Sequence, residues 1–153
     1  MNRSYLFVPA DSELKMKKAA DVGADALILD LEDSVAPEAR PAARELCRDF
    51  LANRGRAWVR INPIDSEDAA ADLEAIVPAA PEGIILPKAS GANDIARLAA
   101  MLDAMEKASG LNIGQTRVLP ICTETPAAVF ALGEYAGSSK RLAALTWGAE
   151  DLS

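Results

Sequence analysis

The sequence contains no histidine among its 153 residues. Histidine is the side chain that most often serves as a general base near neutral pH, and it is the commonest protein ligand of transition metals. If this chain is a catalyst, it must therefore use carboxylates, lysine, tyrosine, cysteine or a hard cation that is held by oxygen ligands.

Positive charge, cysteine and long apolar runs are also scarce. The chain has 16 Lys and Arg residues and 23 Asp and Glu residues. The resulting net charge of −7 argues against a nucleic-acid-binding surface. Two cysteines do not make a disulfide framework, so we expect buried free thiols. No apolar run reaches the roughly 18 residues of a membrane span, and the amino terminus does not read as a signal peptide. We therefore expect a cytoplasmic protein with no nucleic-acid or membrane partner.

Short apolar runs alternate along the chain with amphipathic segments of helical length. The β-like runs are 4–10, 26–33, 57–63, 83–89, 117–124 and 141–151, and the helical segments are 12–22, 38–53, 66–79, 92–108 and 126–136. The runs around Leu27, Ile85 and Leu119 are almost continuously apolar, which is typical of parallel strands buried on both faces. The pattern predicts an α/β protein with a parallel sheet.

Six such repeats fit two architectures. A doubly wound six-stranded sheet would normally carry a closing helix, whereas the sequence stops straight after the sixth run. A (β/α)8 TIM barrel needs about 250 residues. We expect residues 1–153 to form the N-terminal part of a single TIM-barrel catalytic domain and to supply about the first six β-α units.

Polar or conformationally restricted residues stand at the carboxyl end of every β-like run. They are Val8-Pro9, Asp30/Glu32/Asp33, Arg60-Asn62-Pro63, Pro87-Lys88, Thr123-Glu124 and Gly148-Glu150-Asp151. In parallel α/β folds these ends face the active site. Burying an unpaired carboxylate is costly, so we expect the acids to lie at the rim of a cleft and not within the core.

Each of these groups also has a structural alternative. The acids of 30–33 could cap a helix, Arg60 could pair with them internally, and Lys88 could be a solvated loop residue. The acids after the fifth and sixth runs could stabilise helix N-termini. None of these alternatives explains why acids from three runs should converge with basic residues from two others.

The converging groups suit a hard divalent cation. Mg²⁺ prefers one or two protein carboxylates together with water and substrate oxygens, and Glu124 and Asp151 follow adjacent runs. Arg60 offers a rigid two-pronged donor for a substrate carboxylate. Without an imidazole, proton transfer would fall to another carboxylate or to a metal-linked water.

Six motifs, one for each β-like run, carry a family resemblance. They are RSYLFVPA, GADALILDLEDSV, WVRINP, GIILPKA, TETPAAVF and LTWGAEDLS. In this order they resemble the citrate lyase beta subunit and its relatives, the CoA-ester lyases of the HpcH/HpaI aldolase–citrate lyase superfamily. The resemblance runs from Arg3 to the last residue and implies a TIM barrel. The family usually reads Val-Pro-Gly in the first motif, where this chain has Ala10.

The resemblance also implies which residues bind ligands. Glu124 and Asp151 would bind Mg²⁺, and Arg60 would hold the carboxylate of the oxo-acid portion, with Glu124 also close to the substrate. Lys88 would lie near the metal-bound ligand, and Arg3 near the carboxylate or CoA.

The implied activity is that of a Mg²⁺-dependent carbon–carbon lyase. It would cleave or condense a hydroxyacyl-CoA thioester of the citryl-, malyl- or citramalyl-CoA type, with acetyl-CoA or another acyl-CoA and a 2-oxo acid as the other partners. Glu32 and Asp33 would line the site as supporting or acid–base groups beside Arg60. Family members also use a carboxylate from a C-terminal segment and form homotrimers or homohexamers, so residues 1–153 alone are expected to have little activity.

Two alternatives stay open at this point. Metal-dependent 2-oxo-acid aldolases of the same superfamily rely on an active-site histidine, and their second-strand motif commonly ends in Glu-His where this chain has Glu32-Asp33. A non-catalytic subunit that docks an acyl-carrier protein would need no active site, and the intact set of Arg60, Glu124 and Asp151 argues against it.

Overall fold

The computed structural model describes residues 2–149 and 151. Strands and helices alternate in the order β1 (Tyr5–Pro9), α1 (Glu13–Ala20), β2 (Ala26–Asp30), α2 (Arg40–Arg54), β3 (Trp58–Arg60), α3 (Glu67–Ile76), β4 (Gly83–Leu86), α4 (Ala92–Ala108), β5 (Arg117–Pro120) and α5 (Pro126–Phe130). Short 3₁₀ helices occupy Pro37–Ala39, Val77–Ala79 and Leu132–Tyr135. Each lies next to or inside a segment with the predicted helical pattern.

The five strands form one parallel sheet in the order β1-β2-β3-β4-β5. A strictly sequential order distinguishes this sheet from a doubly wound one, whose strand order reverses at a switch point. It also brings all five carboxyl ends to the same edge. The predicted α/β class and parallel sheet are confirmed, and the sequential order is the one that a TIM barrel has.

A sixth strand over 141–151 was predicted, and the described residues do not form one. Leu142 and Thr146 make only isolated parallel bridges, to Val118 and Ile121. The reason lies in Pro120, which has no N–H to continue the ladder towards this segment. Ala143 N donates to Val118 O at 2.8 Å, but the next donor to Pro120 O is Thr146 N at 3.1 Å. One extra residue is inserted there, as in a β-bulge.

The two faces of the sheet have different surroundings. One face packs on the helices and forms the main core, to which the strands contribute Val8, Leu29, Val59, Ile84 and Val118. The opposite face carries a smaller apolar cluster of Ala26, Ile28, Trp58, Ile85, Leu119 and Ile121. A cavity of about 240 Å³ lies over this second face. Both faces of the sheet are therefore apolar, which explains the nearly continuous apolar runs.

Gly83 is required by the packing on the second face. A Cβ at this position would overlap the Trp58 ring and lie 2.8 Å from the carbonyl oxygen of Arg117. Trp58 is directly opposite Gly83 in the β3–β4 register and is 3 % exposed. A larger residue at position 83 would displace either the indole or the neighbouring strand.

Cys47 and Cys122 are both buried free thiols, as predicted. Along the part of the chain that the structure describes, no helix combines the length and the apolar character that crossing a membrane would require.

A buried ion pair holds the segment after α5 against the sheet. Arg141 donates to Glu106 at 3.0 Å from Nη1 and at 2.6 Å from Nη2, and its Nη1 also donates to the Thr116 carbonyl at 2.8 Å. Glu106 accepts further bonds from the backbone N–H groups of Gly114 and Thr116. Burial alone would raise the pKa of Glu106, but the hydrogen bonds from Arg141 and Thr116 outweigh it and lower the pKa to about 2.

We expect Glu106→Gln to lower the free energy of unfolding by about 3 kcal/mol, because it removes the buried countercharge of Arg141 and leaves this arginine only the half-exposed Asp103 as a charged partner. Chemical denaturation at neutral pH measures this. The folded-state pKa lies below the ordinary value of 4.5, so the contribution of Glu106 is complete above that value and is lost as the pH falls towards about 2. The difference between wild type and variant should shrink over that range. The exposed Glu74→Gln serves as control and should cost less than about 0.5 kcal/mol.

Candidate active site

The predicted polar groups meet at the carboxyl edge of the sheet. Asp30 and Arg60 are the last residues of β2 and β3, and they lie opposite each other in the register. Lys88 follows β4 by two residues, and Glu124 follows β5 by four. As expected for parallel strands, their common polarity brings these side chains to one rim.

A buried ion pair between Asp30 and Arg60 forms the base of the site. Arg60 Nε donates to Asp30 Oδ1 at 2.6 Å, and Arg60 Nη2 donates to Oδ2 at 2.7 Å. Asp30 is 1 % exposed and also accepts from the backbone N–H groups of Glu32 and Ser34 and from the Ser34 hydroxyl. Burial would raise the pKa of Asp30, but the hydrogen bonds from Arg60 and Ser34 hold it below its ordinary value. Asp30 therefore stays ionised and orients Arg60.

The remaining surface of the Arg60 guanidinium faces the other acids. Nη1 lies 3.2 Å from Glu32 Oε2 and 3.3 Å from Asp33 Oδ2. The guanidinium carbon stands 5.0 Å from the centre of the Phe7 ring, which is a cation–π contact. The internal ion pair between Arg60 and an acid of 30–33, which the sequence left open as an alternative, is thus present. It occupies the Nε and Nη2 atoms of the guanidinium group. The Nη1 side contacts Glu32 and Asp33.

Lys88 joins two of the carboxylates from a strained backbone conformation. Its φ is +52°, in the left-handed region that a non-glycine residue seldom adopts. Its backbone N–H donates to Glu124, and its ammonium group pairs with Glu32 and lies 3.8 Å from Asp33. A strained residue of this kind costs about 1 to 3 kcal/mol and is most often found at functional sites.

Desolvation raises the pKa of the buried Glu32 and of the half-buried Glu124. Glu32 is 3 % exposed, and desolvation raises its pKa in spite of its contacts with Lys88 and Arg60. Desolvation also raises the pKa of Glu124, and the negative charges of Glu32 and Asp151 add to the shift. These carboxylates are therefore close enough to repel one another.

Glu124 and Asp151 both lie close to Gly148. A Cβ at position 148 would overlap the Asp151 carboxylate and lie 3.0 Å from Glu124 Cγ. The Gly148 N–H donates to Thr123 Oγ1 at 3.1 Å, which ties this segment to the end of β5. Within residues 2–149 and 151, no set of three or more acidic, Cys or His side chains surrounds a common metal position. Two carboxylates are nevertheless what Mg²⁺ ordinarily takes from a protein.

The structure brings together most of the residues that the sequence singled out, but not all of them. Those in contact at the carboxyl edge are Glu32, Asp33, Arg60, Lys88, Glu124 and Asp151. Arg3 precedes β1 at the opposite edge, has an 89 % exposed side chain and bonds to Asp25. Glu150 lies outside the described residues.

Two buried residues of this rim were noticed in the sequence but not assigned to the site. Asp30 holds Arg60, and Asn62 bonds to the Leu31 carbonyl at 3.0 Å. The sequence signal for Asp30 was an acid that ends an apolar strand while an arginine ends the next strand. Asn62 follows Arg60 by two residues, and its side-chain partners cannot be inferred from local sequence.

The fold and this rim define a class of protein: an α/β chain with a carboxylate-rich, oxygen-donor site at the carboxyl ends of a sequential parallel sheet. Residues 3–153 match the family described as HpcH/HpaI aldolase/citrate lyase. The chain belongs to this family, and the resemblance seen in its motifs is confirmed.

Among the relatives of known function is the citrate lyase subunit beta of Haemophilus influenzae. It is 32 % identical over 155 residues, which cover 99 % of this chain and 53 % of that protein. A (3S)-malyl-CoA thioesterase of Cereibacter sphaeroides is 36 % identical over 150 residues, or 91 % of this chain and 53 % of that enzyme. The chain spans about half the length of these relatives.

A similar solved structure is the citrate lyase beta subunit of M. tuberculosis complexed with oxaloacetate and magnesium. It superimposes with a TM-score of 0.77 at 36 % identity, over 96 % of this chain and 58 % of that one. Members of the family are therefore known with a divalent cation and a 2-oxo acid bound.

We expect Asp30→Asn to lower the free energy of unfolding by about 3 kcal/mol at neutral pH, because Arg60 would lose the buried carboxylate that accepts from both its Nε and its Nη2 and would keep only the contacts of Nη1. Asp33→Asn is the matched comparison, since Asp33 pairs with the same arginine but has a 62 % exposed side chain. It should cost less than about 1 kcal/mol. Denaturant unfolding measures both, and equal losses would contradict this account of Asp30. The pKa of Asp30 is lowered, so its contribution is present above pH 3.8 and fades below it.

Proposed function

We propose that this chain is the amino-terminal part of the TIM-barrel catalytic domain of a Mg²⁺-dependent CoA-ester lyase. Its substrate would be a hydroxyacyl-CoA thioester such as citryl-, malyl- or citramalyl-CoA, cleaved to a 2-oxo acid and acetyl-CoA or another acyl-CoA. The observation that carries this proposal is that Glu124 and Asp151 lie together beside Gly148. Glu124 accepts from the backbone N–H of Lys88, and the ammonium group of Lys88 pairs with Glu32.

The donor set at Gly148 fits Mg²⁺. Both groups are carboxylates, and the chain has no histidine. Desolvation raises the pKa of Glu124, the charges of Glu32 and Asp151 add to the shift, and a cation would relieve this repulsion. The backbone N–H of Lys88 bonds to Glu124 Oε2, which leaves Oε1 for a metal. When bound, the cation would act as a Lewis acid for the oxygens of the oxo-acid portion.

Arg60 and Lys88 would hold the carboxylate of the oxo-acid portion. The Nε–Nη2 side of Arg60 is committed to Asp30, so the substrate carboxylate would meet the Nη1 side. To do so it would displace or share the contacts that Glu32 and Asp33 make there. Lys88 has a 44 % exposed side chain next to these acids and can supply a second positive charge.

Asp33 is the best placed acceptor for the hydroxyl proton. Its side chain is 62 % exposed at the rim, whereas Glu32 is 3 % exposed and fixed by Lys88. Loss of the proton lets the hydroxyl oxygen form the new carbonyl while the adjacent carbon–carbon bond breaks. Its electron pair passes to the thioester fragment, which leaves as an enolate and is then protonated to acyl-CoA.

Thioester hydrolysis is a second candidate because of the malyl-CoA thioesterase relative. Hydrolysis breaks the carbon–sulfur bond and releases free CoA with an intact hydroxy acid. Lyase chemistry breaks the carbon–carbon bond and leaves the thioester intact. The two activities therefore give different products from the same substrate.

We expect Mg²⁺ to raise the melting temperature of the protein, because a ligand that binds the native state stabilises it. Gly148→Ala should weaken Mg²⁺ binding by at least about tenfold, since the added methyl group would force Glu124 and Asp151 apart. Melting curves over a magnesium titration measure this.

Gly133→Ala is the control for this titration. A Cβ at position 133 has no neighbouring atom within 4 Å, so magnesium affinity should match that of the wild type. An equal magnesium response in all three proteins would argue against a metal at Glu124 and Asp151.

We expect the full-length protein to cleave one member of a panel of hydroxyacyl-CoA thioesters in the presence of Mg²⁺. Asp151→Ala should reduce the cleavage rate by about a hundredfold or more. The removal of one preorganised group that stabilises charge in a transition state typically costs this much. Acyl-CoA, free CoA and 2-oxo acid are quantified separately.

Each product pattern has a distinct meaning. Acyl-CoA with 2-oxo acid supports the lyase, and free CoA with hydroxy acid supports the thioesterase. Release of pyruvate from simple aldol adducts, with all thioesters left intact, would identify an aldolase. If nothing is cleaved although oxaloacetate still binds, a non-catalytic subunit that docks an acyl-carrier protein is the better account.

A further inference from the structure

A buried polar network lies behind the candidate site, between the rim and the helices. Asp72, in the middle of α3, and Asn62, just after β3, are 0 % and 1 % exposed. Asp72 Oδ2 accepts from the Asn62 backbone N–H at 2.8 Å and from Asn62 Nδ2 at 2.9 Å. Burying an aspartate in this way requires compensation, and both of its oxygens receive it.

The network continues from Asp72 to helix α2. Arg44 Nε donates to Asp72 Oδ1 at 2.7 Å, and its guanidinium also pairs with Asp68 on α3. The side chain of Arg44 is 13 % exposed, so the Arg44–Asp72 pair is largely removed from solvent. Asn62 is thereby anchored to both helices.

At its other end the network holds the backbone between Asp30, the last residue of β2, and Glu32, which follows the strand. Asn62 Nδ2 donates to the Leu31 carbonyl at 3.0 Å, and the Leu31 N–H donates to the Arg60 carbonyl at 2.9 Å. Leu31 stands between Asp30, which binds Arg60, and Glu32, which binds Lys88. The peptide groups on both sides of Leu31 are therefore fixed relative to β3.

The chemistry of these contacts requires an amide at position 62. The Leu31 carbonyl and the Asp72 carboxylate can only accept, so the side chain between them must donate twice, as an asparagine NH₂ does. Aspartate has the same shape, but its carboxylate would face two acceptors.

We propose that Asn62, held by Asp72, is a positioning residue that fixes the Leu31–Glu32 backbone and thereby places the Glu32 carboxylate against Lys88 and Arg60. This assignment rests on the proposed function, because Glu32 is taken there as a supporting group of the active site. Neither Asn62 nor Asp72 contacts Glu124 or Asp151 in the described residues, so the metal pair should be independent of them.

Asn62→Ala tests this assignment with two readouts. Amide hydrogen exchange should accelerate by about tenfold or more at Leu31 and Glu32, while the β4 amides keep wild-type rates. With the thioester that the wild type cleaves, kcat should fall by about tenfold or more and KM should change less than about threefold. The magnesium-dependent rise in melting temperature should persist.

Arg40→Gln is the matched control, because Arg40 bonds to Asp68 at 2.6 Å and lies outside the Asn62–Leu31 contact. It removes an ion pair of the same helix interface and should leave both readouts at wild-type values. If Asn62→Ala does not fold, Asn62→Ser replaces it, since serine is polar but too short to bridge Leu31 and Asp72.

The amide exchange rates test the positioning role of Asn62 even if the wild type cleaves no thioester. Absence of cleavage would contradict the proposed function and not the positioning role. Unchanged exchange at Leu31 and Glu32 would overturn the assignment. So would a variant whose exchange accelerates equally in β4, or whose kcat matches the wild type despite local opening.

Discussion

The buried ion pair between Asp30 and Arg60 is the interaction on which the rest of the candidate site depends. The two residues end neighbouring strands and lie opposite each other in register, so their contact follows from the sheet itself. A charge buried at this depth is tolerable only with a close partner. Because Asp30 also receives the N–H groups of Glu32 and Ser34, the same carboxylate shapes the loop that carries the other acids.

The charge balance at the rim favours the proposed divalent-cation site. Asp30 neutralises Arg60, and Glu32 pairs with Lys88. Glu124 keeps only the backbone N–H of Lys88 as a partner among the described hydrogen bonds, and Asp151 lies with it beside Gly148. Arg60 and Lys88 thus pair with acids at the end of β2 and just after it, and the excess negative charge is concentrated where β5 and the following segment meet.

Much of this arrangement could be predicted from sequence, because strand polarity brings strand ends to one edge whatever the details of packing. The sixth strand could not, since its ladder fails where Pro120 lacks a donor and one residue is inserted. Arg3 could not be placed either, because it lies before β1 and bonds to Asp25 at the other edge. The role of Asn62 depends on Asp72, which lies ten residues away on a helix, and no local sequence pattern predicts that contact.

Lys88 shows how the two halves of the rim are coupled. The backbone of Lys88 is left-handed, its N–H donates to Glu124, and its side chain reaches Glu32. One residue therefore contacts an acid that follows β2 and an acid that follows β5. An unstrained backbone at this position would turn one of these donors away. The conformational cost of about 1 to 3 kcal/mol is therefore offset by two charge-assisted hydrogen bonds. Glu124 and Glu32 are thus held by separate donors of one residue, the backbone N–H and the ammonium group, so each acid keeps its own partner at the rim.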